Sequence, residues 1–331
     1  MDIGQFLTVQ LPTLLVVIIG VPVVLAGYII GCEMLVRRLP DGAQPTVRPW
    51  IWVGPALVFV AVFLVYPGLD TIRISLTDKQ GAFTLDNYAS VLGGFPTGGA
   101  WIAIRDNAYW LVLYTGFVLF FGLLLAVLTD RVPYETPVKS LIFMPMAISF
   151  VALGVIWKFM YSYQPPGAPQ TGTMNFLVTT LFHADPITWL QNKQINNFAL
   201  IAAAVWGYTG FAMVILSAAL KGIPGELLEA ARADGAGEIT IFRKIILPLL
   251  MPTITVVGTT LVILALKAFD VVYVMTQGNY DTDVLANRAY FELFNFGNPG
   301  RSGAVAVILL LAVVPVLIFN LRQFRAVEAR R

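Results

Sequence analysis

The chain has 331 residues, of which 58% are apolar and 12% charged, and its net charge is +2. Soluble domains carry about 25% charged residues, so this composition excludes a water-soluble globule, and so small a charge on so long a chain gives no footing for nucleic-acid binding. Cys32 and His183 are single copies, which excludes an intramolecular disulfide and argues against a Cys/His metal centre or a Cys-His catalytic pair.

The chain opens on Asp2 with no basic cluster, and its first apolar stretch, 11–36, outruns the hydrophobic region of a cleaved signal peptide, so a retained span is expected. Ile29-Ile30-Gly31-Cys32 resembles a lipoprotein cleavage box, but the missing basic flank argues against processing there. Further apolar stretches follow at 50–72, 107–129, 140–161, 198–220, 249–276 and 304–321, making seven in all. Each is long enough to cross a hydrocarbon layer of about 20 helical residues. None alternates with period two, so each is expected to be a helix, and the fold class is an all-α integral membrane protein. Pro145, Pro252 and Pro315 fall inside spans, where a freed carbonyl permits a kink.

Lys and Arg set the orientation. One set of loops holds Arg37, Arg38, Arg48, Arg131, Lys139, Lys221, Arg232, Arg243, Lys244, Arg322, Arg325, Arg330 and Arg331, thirteen in all. The alternate set holds six: Arg73, Lys79, Arg105, Lys193, Arg288 and Arg301. The richer set faces the cytoplasm, placing the N-terminus outside, the C-terminus inside and the 221–248 loop in the cytoplasm. Trp50 and Trp52 at one interface and Trp157, Tyr161 and Tyr163 at the other agree with that placement. The outer loops, such as 93–99 and 163–169, are rich in Gly and Pro and read as turns.

The cytoplasmic loop predicts a short surface helix. Pro224 suits a first helical position, Glu226 complements the helix dipole, and Gly235 supplies a stop. Leu227, Leu228 and Ala231 fall on one side, and Glu226, Glu229 and Ala233 on another. A second helical stretch carrying Phe242, Ile245 and Ile246 is expected to end at Pro248, which separates it from the sixth span. Ala230 and Ala231 allow close approach, and Glu229 offers an acceptor to an arginine fork.

Glu229-Ala230-Ala231, three residues, Gly235, nine residues and Ile245-Ile246-Leu247-Pro248 together resemble the E-A-A loop of binding-protein-dependent ABC importers. The resemblance implies that the loop is a coupling helix seated in an ATPase cleft, with Glu229, Ala230, Ala231, Asp234, Gly235, Ile245, Leu247 and Pro248 as its contact residues. It widens to carbohydrate permeases of the maltose-permease type through Gly54-Pro55-Ala56-Leu57, Tyr66-Pro67, Asn87-Tyr88 and Phe269-Asp270-Val271-Val272-Tyr273-Val274-Met275-Thr276. Ala286-Asn287-Arg288 and Glu292-Leu293-Phe294-Asn295-Phe296-Gly297 are similar to alpha-glucoside permeases. The likeness covers 50–323, which leaves residues 1–49 as an extra span and linker ahead of a six-span importer domain at 50–331. It implies a second permease subunit, two ATPase subunits that bind ATP and Mg, an extracytoplasmic sugar-binding protein and a place in the bacterial inner membrane. No cofactor is implied for the chain itself.

The chain departs from the pattern at Gly278-Asn279-Tyr280, where many sugar permeases have Gly-Gly-Pro, and at Ala204, Ala265 and Ala268, where the maltose permease lines its sugar pocket with polar residues. Sugar contacts therefore cannot be copied across. Two groups could line a path. Lys267 and Asp270 lie three apart in the sixth span and are expected on one helical face, either as a cavity wall or as a structural pair. Trp206, Tyr208, Thr209 and Phe211 surround Gly207 and Gly210, either as a sugar surface or as the rim of a close helix packing. No G-x-x-x-x-G-K-[ST] phosphate loop is present, so ATP hydrolysis is expected elsewhere. An importer of a polyol or glycerol phosphate is the nearest alternative. A secondary transporter would need internal repeats and midplane ion sites. A membrane enzyme would need a clustered acid-base set.

Overall fold

The structure, a computed structural model, describes residues 16–94, 98, 100–130 and 132–328. The start of the first expected span, Asp2, part of the 93–99 loop, Arg131, Arg330 and Arg331 lie outside the described residues. Apart from one isolated bridge, Thr77 to Phe83, the ordered elements among the described residues are helical. Among the described residues six helices are long and apolar enough to cross a membrane, or seven if one bent pair counts as a single span.

The chain divides into two units, 1–70 and 71–331. In the first, α1 (Val16–Arg37) and the opening of α2 (Gln44–Ser75) form a helical pair. The Tyr28 hydroxyl donates to the Ile51 carbonyl, and Glu33 accepts from Arg37 and Arg48. Val24, Leu25, Phe59 and Phe63 are exposed, the state of a helix whose apolar surface is satisfied by lipid or another chain.

The second unit is built around α4 (Trp101–Leu128), α8 (Asn196–Lys221) and α10 (Glu238–Leu266). Val118, Leu200, Met213, Leu216 and Leu261 are fully buried at its centre. Small residues let these helices touch. A Cβ on Gly122 of α4 would lie 2.5 Å from the Ala212 Cβ of α8, so that crossing tolerates no side chain.

Two expected spans are broken. In the fourth, α5 (Glu135–Phe143) runs into a 3₁₀ turn, Met144–Ala147, and α6 (Phe150–Met160) departs at 100°. Pro145 lies in that turn, and Ser149 caps α6 by accepting from the Ala152 amide at 3.2 Å. In the sixth, α10 stops at Leu266, and α11 (Asp270–Met275) begins after the break at 267–269. The stop is held from outside the helix, because Asn107 Nδ2 donates to the Leu266 carbonyl at 3.3 Å while Asn107 Oδ1 accepts from the Leu285 amide at 2.7 Å. Lys267 and Asp270 therefore do not share one continuous helical face.

Pro248 also behaves otherwise than expected. It opens no gap between the loop and the sixth span. Residues 238–266 run as one helix through a π turn, Phe242–Ile246, which absorbs the missing proline amide. After α11 the chain makes a tight turn with positive φ at Gln277, Gly278, Tyr280 and Asp281, then enters α12 (Leu285–Phe294) and α13 (Pro299–Glu328).

Candidate functional site

The expected surface helix is α9 (Gly225–Ala233), with Pro224 as its cap rather than its first turn. Leu228, 7% exposed, joins Ile223, Ile241 and Leu250 in a small apolar cluster, and Ala231 packs against it. Leu227, expected on that buried side, is instead exposed. Burying one leucine contributes roughly 1.5–3 kcal/mol, enough to fix so short a helix against its support. Gly235 takes φ +81° just past the helix, where a Cβ would be strained. Arg232 then forks onto Glu238 at 2.7 and 3.2 Å, tying α9 to the start of α10. Its hydrogen bond with Glu238 raises the Arg232 guanidinium above its ordinary value, so the fork stays charged.

What this leaves outward is a shoulder of Glu229, Ala230, Asp234 and Gly235, all exposed. Ile239 adds an apolar knob, 76% exposed, that the sequence reading passed over. Ile245 and Leu247 are half-buried and Pro248 is exposed, all on the continuous stem of α10. Behind the shoulder, Glu135 of α5 bridges Lys139 at 2.5 Å and Lys221 at 2.6 Å, and Lys139 also reaches Ser217. This knot fixes the end of α8 to α5 beside the loop, so movement of the loop has a braced path into the bundle.

A second site lies where α10 breaks. A cavity of about 200 Å³ is lined by Trp110, Tyr114, Phe150, Lys267, Phe269 and Asp270, with Ala204 and Ala268 among the other walls. Trp110 Nε1 and Tyr114 Oη are buried with no hydrogen-bond partner, although their residues are only 3% and 2% exposed. Unpaired buried donors are costly, and a ligand oxygen is the kind of group that satisfies them. The aromatic wall is continuous, since Tyr208 stacks on Phe150 at 4.9 Å and meets Tyr114 edge-on at 6.2 Å. Among the described residues neither Lys267 nor Asp270 is in an ion pair, so both charges are free to address a guest. Sites for drug-sized ligands span roughly 300–1,000 Å³, so this one suits a single small ring.

The aromatic group expected on α8 is divided between two places. Tyr208 belongs beside the cavity. Trp206 packs on Trp157 at 5.8 Å and, with Thr209, lines a separate apolar groove of about 830 Å³ against Phe117 and Phe121. The Thr209 hydroxyl is used up by the Val205 carbonyl at 2.7 Å, and Phe211 touches Tyr208 at 6.2 Å. Gly207 and Gly210 are packing residues, because added Cβ atoms would meet the Leu153 side chain at 2.4 Å and the Ile142 carbonyl at 2.6 Å. Trp110 and Tyr114 were not legible in the sequence, since aromatic residues among Leu and Val near the end of a span read as ordinary interface or packing residues.

Residues 118–330 match the family described as the inner membrane component of binding-protein-dependent transport systems. The chain is 50% identical over 283 residues to the osmoprotective compounds uptake permease protein GgtC of Synechocystis sp., covering 85% of this chain and 100% of that protein. It is 44% identical over 281 residues to the alpha-glucoside transport system permease protein AglF of Rhizobium meliloti, covering 84% and 82%. Its fold is similar to a chain in the crystal structure of a bacterial ABC transporter involved in the import of the acidic polysaccharide alginate, with a TM-score of 0.72 at 21% identity, covering 86% and 98%.

Proposed function

The chain belongs to the family of inner membrane components of binding-protein-dependent transport systems, and from that premise we propose that it is the sugar-conducting permease subunit of an ATP-driven importer of the alpha-glucoside class. The observation that carries this is the α9 shoulder: Glu229 and Ala230 stand exposed on a helix pinned from behind by Leu228 and by the Arg232–Glu238 fork. A braced acidic and small-residue projection fits a cleft in another protein, and the chain has no phosphate loop of its own.

The working unit pairs this chain with a second permease subunit, two ATPase subunits that bind ATP and Mg, and an extracytoplasmic sugar-binding protein, all at the bacterial inner membrane. The loop lies in the cytoplasm, the chain starts outside and ends inside, and nucleotide-driven closure on α9 rocks the bundle between its outward and inward states. Trp110, Tyr114, Lys267 and Asp270 form the stage at which one sugar ring pauses. Its aromatic faces meet the apolar faces of the ring, and its unpaired donors meet ring hydroxyls.

The Synechocystis relative is named for osmoprotective compounds, which favours a second cargo class, small polar osmoprotectants, for the same cavity. The deciding experiment reconstitutes the permease with its ATPase and binding-protein partners and measures ATP hydrolysis against a panel of glucosides, maltose, polyols and glycerol phosphate. Stimulation by alpha-glucosides is expected. Stimulation by polyols alone reassigns the cargo, and solute movement by the chain without any ATPase partner ends the proposal.

A further inference from the structure

The cavity where α10 breaks is small for the cargo class proposed above. About 200 Å³ takes one ring, yet an alpha-glucoside always carries a second group on its glycosidic oxygen, and that group has to lie outside. One wall continues beyond the cavity. Phe269, which lines it, sits just ahead of α11 and stacks on Tyr273 one turn later, with ring centroids 5.2 Å apart and planes 22° from parallel. Tyr290 of α12 meets both, 5.4 Å from Phe269 and 5.3 Å from Tyr273. Phe294, one turn further along α12, lies 4.8 Å from Tyr290. The four rings thus run in series from the cavity wall to the surface: Phe269, Tyr273 and Tyr290 are half-buried, and Phe294 is 68% exposed.

The exposure of these rings suits a sugar better than it suits a core or a membrane anchor. Core rings are buried on every side, and anchoring rings stand among lipid headgroups rather than stacked against the wall of a cavity. A sugar ring carries C–H groups on its faces and hydroxyls around its rim, so it can lie on an aromatic surface while the rim stays in water. Full burial would strip those hydroxyls of their hydrogen bonds, and a half-open series of rings does not. With the orientation proposed above, α12 lies outside the membrane, on the side from which cargo arrives.

We infer that Tyr273, Tyr290 and Phe294 form a second sugar subsite, continuous with the cavity through Phe269, which holds the ring attached to the one in the cavity. The inference rests on the cargo reading above and adds the length of the cargo to it. Selectivity then divides between two places. The cavity, with its buried donors and two charges, reads one ring closely, while the aromatic series takes the next ring by its faces and tolerates different arrangements of its hydroxyls.

Saturation-transfer NMR on the purified, nucleotide-free transporter complex, without the binding protein, reads which sugar protons touch the permease. Methyl alpha-glucoside and maltose serve as the one-ring and two-ring probes. Both rings of maltose should receive saturation from the wild type. In Tyr290→Ala and Phe294→Ala one ring should lose its signal and the maltose dissociation constant should rise about 5-fold, the scale of one lost aromatic stacking contact, while methyl alpha-glucoside binds as before. Phe294→Trp keeps a ring at the position and should restore both readings. Phe294 is exposed, so its variants stay informative if Tyr290→Ala fails to assemble. Saturation of only one maltose ring in the wild type overturns the subsite. So does an equal loss of both sugars in the variants, which would make the rings a support of the cavity, and so does loss of the second permease subunit from the Phe294→Ala complex, which would make them an assembly surface. If the wild type binds neither sugar, the cargo reading itself has failed and the subsite falls with it.

Discussion

Trp110 and Tyr114 line the cavity together with Lys267 and Asp270, and each carries one buried polar atom that has no partner inside the protein. A residue that only filled the core would have its N–H or O–H paired, since leaving it unpaired costs about 1–3 kcal/mol. Replacing Tyr114 with Phe removes the unpaired hydroxyl and keeps the ring, so the ligand-free complex should melt at the same temperature or slightly higher. Its half-maximal sugar concentration for stimulated ATP hydrolysis should rise about 2- to 13-fold, the loss of one hydrogen bond worth roughly 0.5–1.5 kcal/mol. Trp110→Phe should behave alike. A fall in melting temperature with unchanged sugar response would mark both as core residues. Lys267 and Asp270 make a second residue-scale test. Both line the cavity without pairing, so in a double-mutant cycle their replacements by Ala should add in sugar affinity with little coupling, whereas a hidden ion pair would give a coupling of about 0.5–3 kcal/mol.

On the scale of elements, α9 separates two jobs that one mutation series can tell apart. Leu228 fixes the helix and Glu229 faces away from it. Leu228→Ala removes a buried side chain at a cost of about 2–5 kcal/mol, so amide exchange across 225–233 should accelerate. Glu229→Ala should leave that exchange unchanged and weaken co-purification with the ATPase subunits. Acceleration by both variants would reduce Glu229 to a structural residue. The existence of α9 was readable from Pro224, Glu226 and Gly235 because caps and dipole partners act within one turn of chain. The end of α10 at Leu266 was not readable, because its determinant is Asn107, 159 residues earlier in sequence. Pro248 misled for a related reason: proline signals a lost amide, but whether the chain breaks or tightens into a π turn depends on what packs around it. The same limit hid the cavity, which exists only where that distant stop parts α10 from α11.

For the whole molecule, hydropathy marks where the spans are, because lipid punishes every unpaired backbone group and so writes long apolar runs into the sequence. Charge marks which way they run, and here thirteen cations stand against six. The fold adds a consequence of that asymmetry. Ile239, in the first turn of α10 beside the α9 shoulder, and Phe182, just after the helix Thr173–Leu181, are exposed at 76% and 75% and fall in segments that the charge pattern assigns to opposite sides of the membrane. Cys32 is the only native cysteine, so Cys32→Ser gives a silent background for single-cysteine labelling. In intact spheroplasts an impermeant maleimide should label Phe182→Cys and leave Ile239→Cys untouched until the membrane is opened. The reverse pattern would invert the chain, and it would put the shoulder where no cytoplasmic ATPase could reach it. Orientation and coupling thus stand or fall together, because a motor that burns ATP can push only on a surface that the cytoplasm touches.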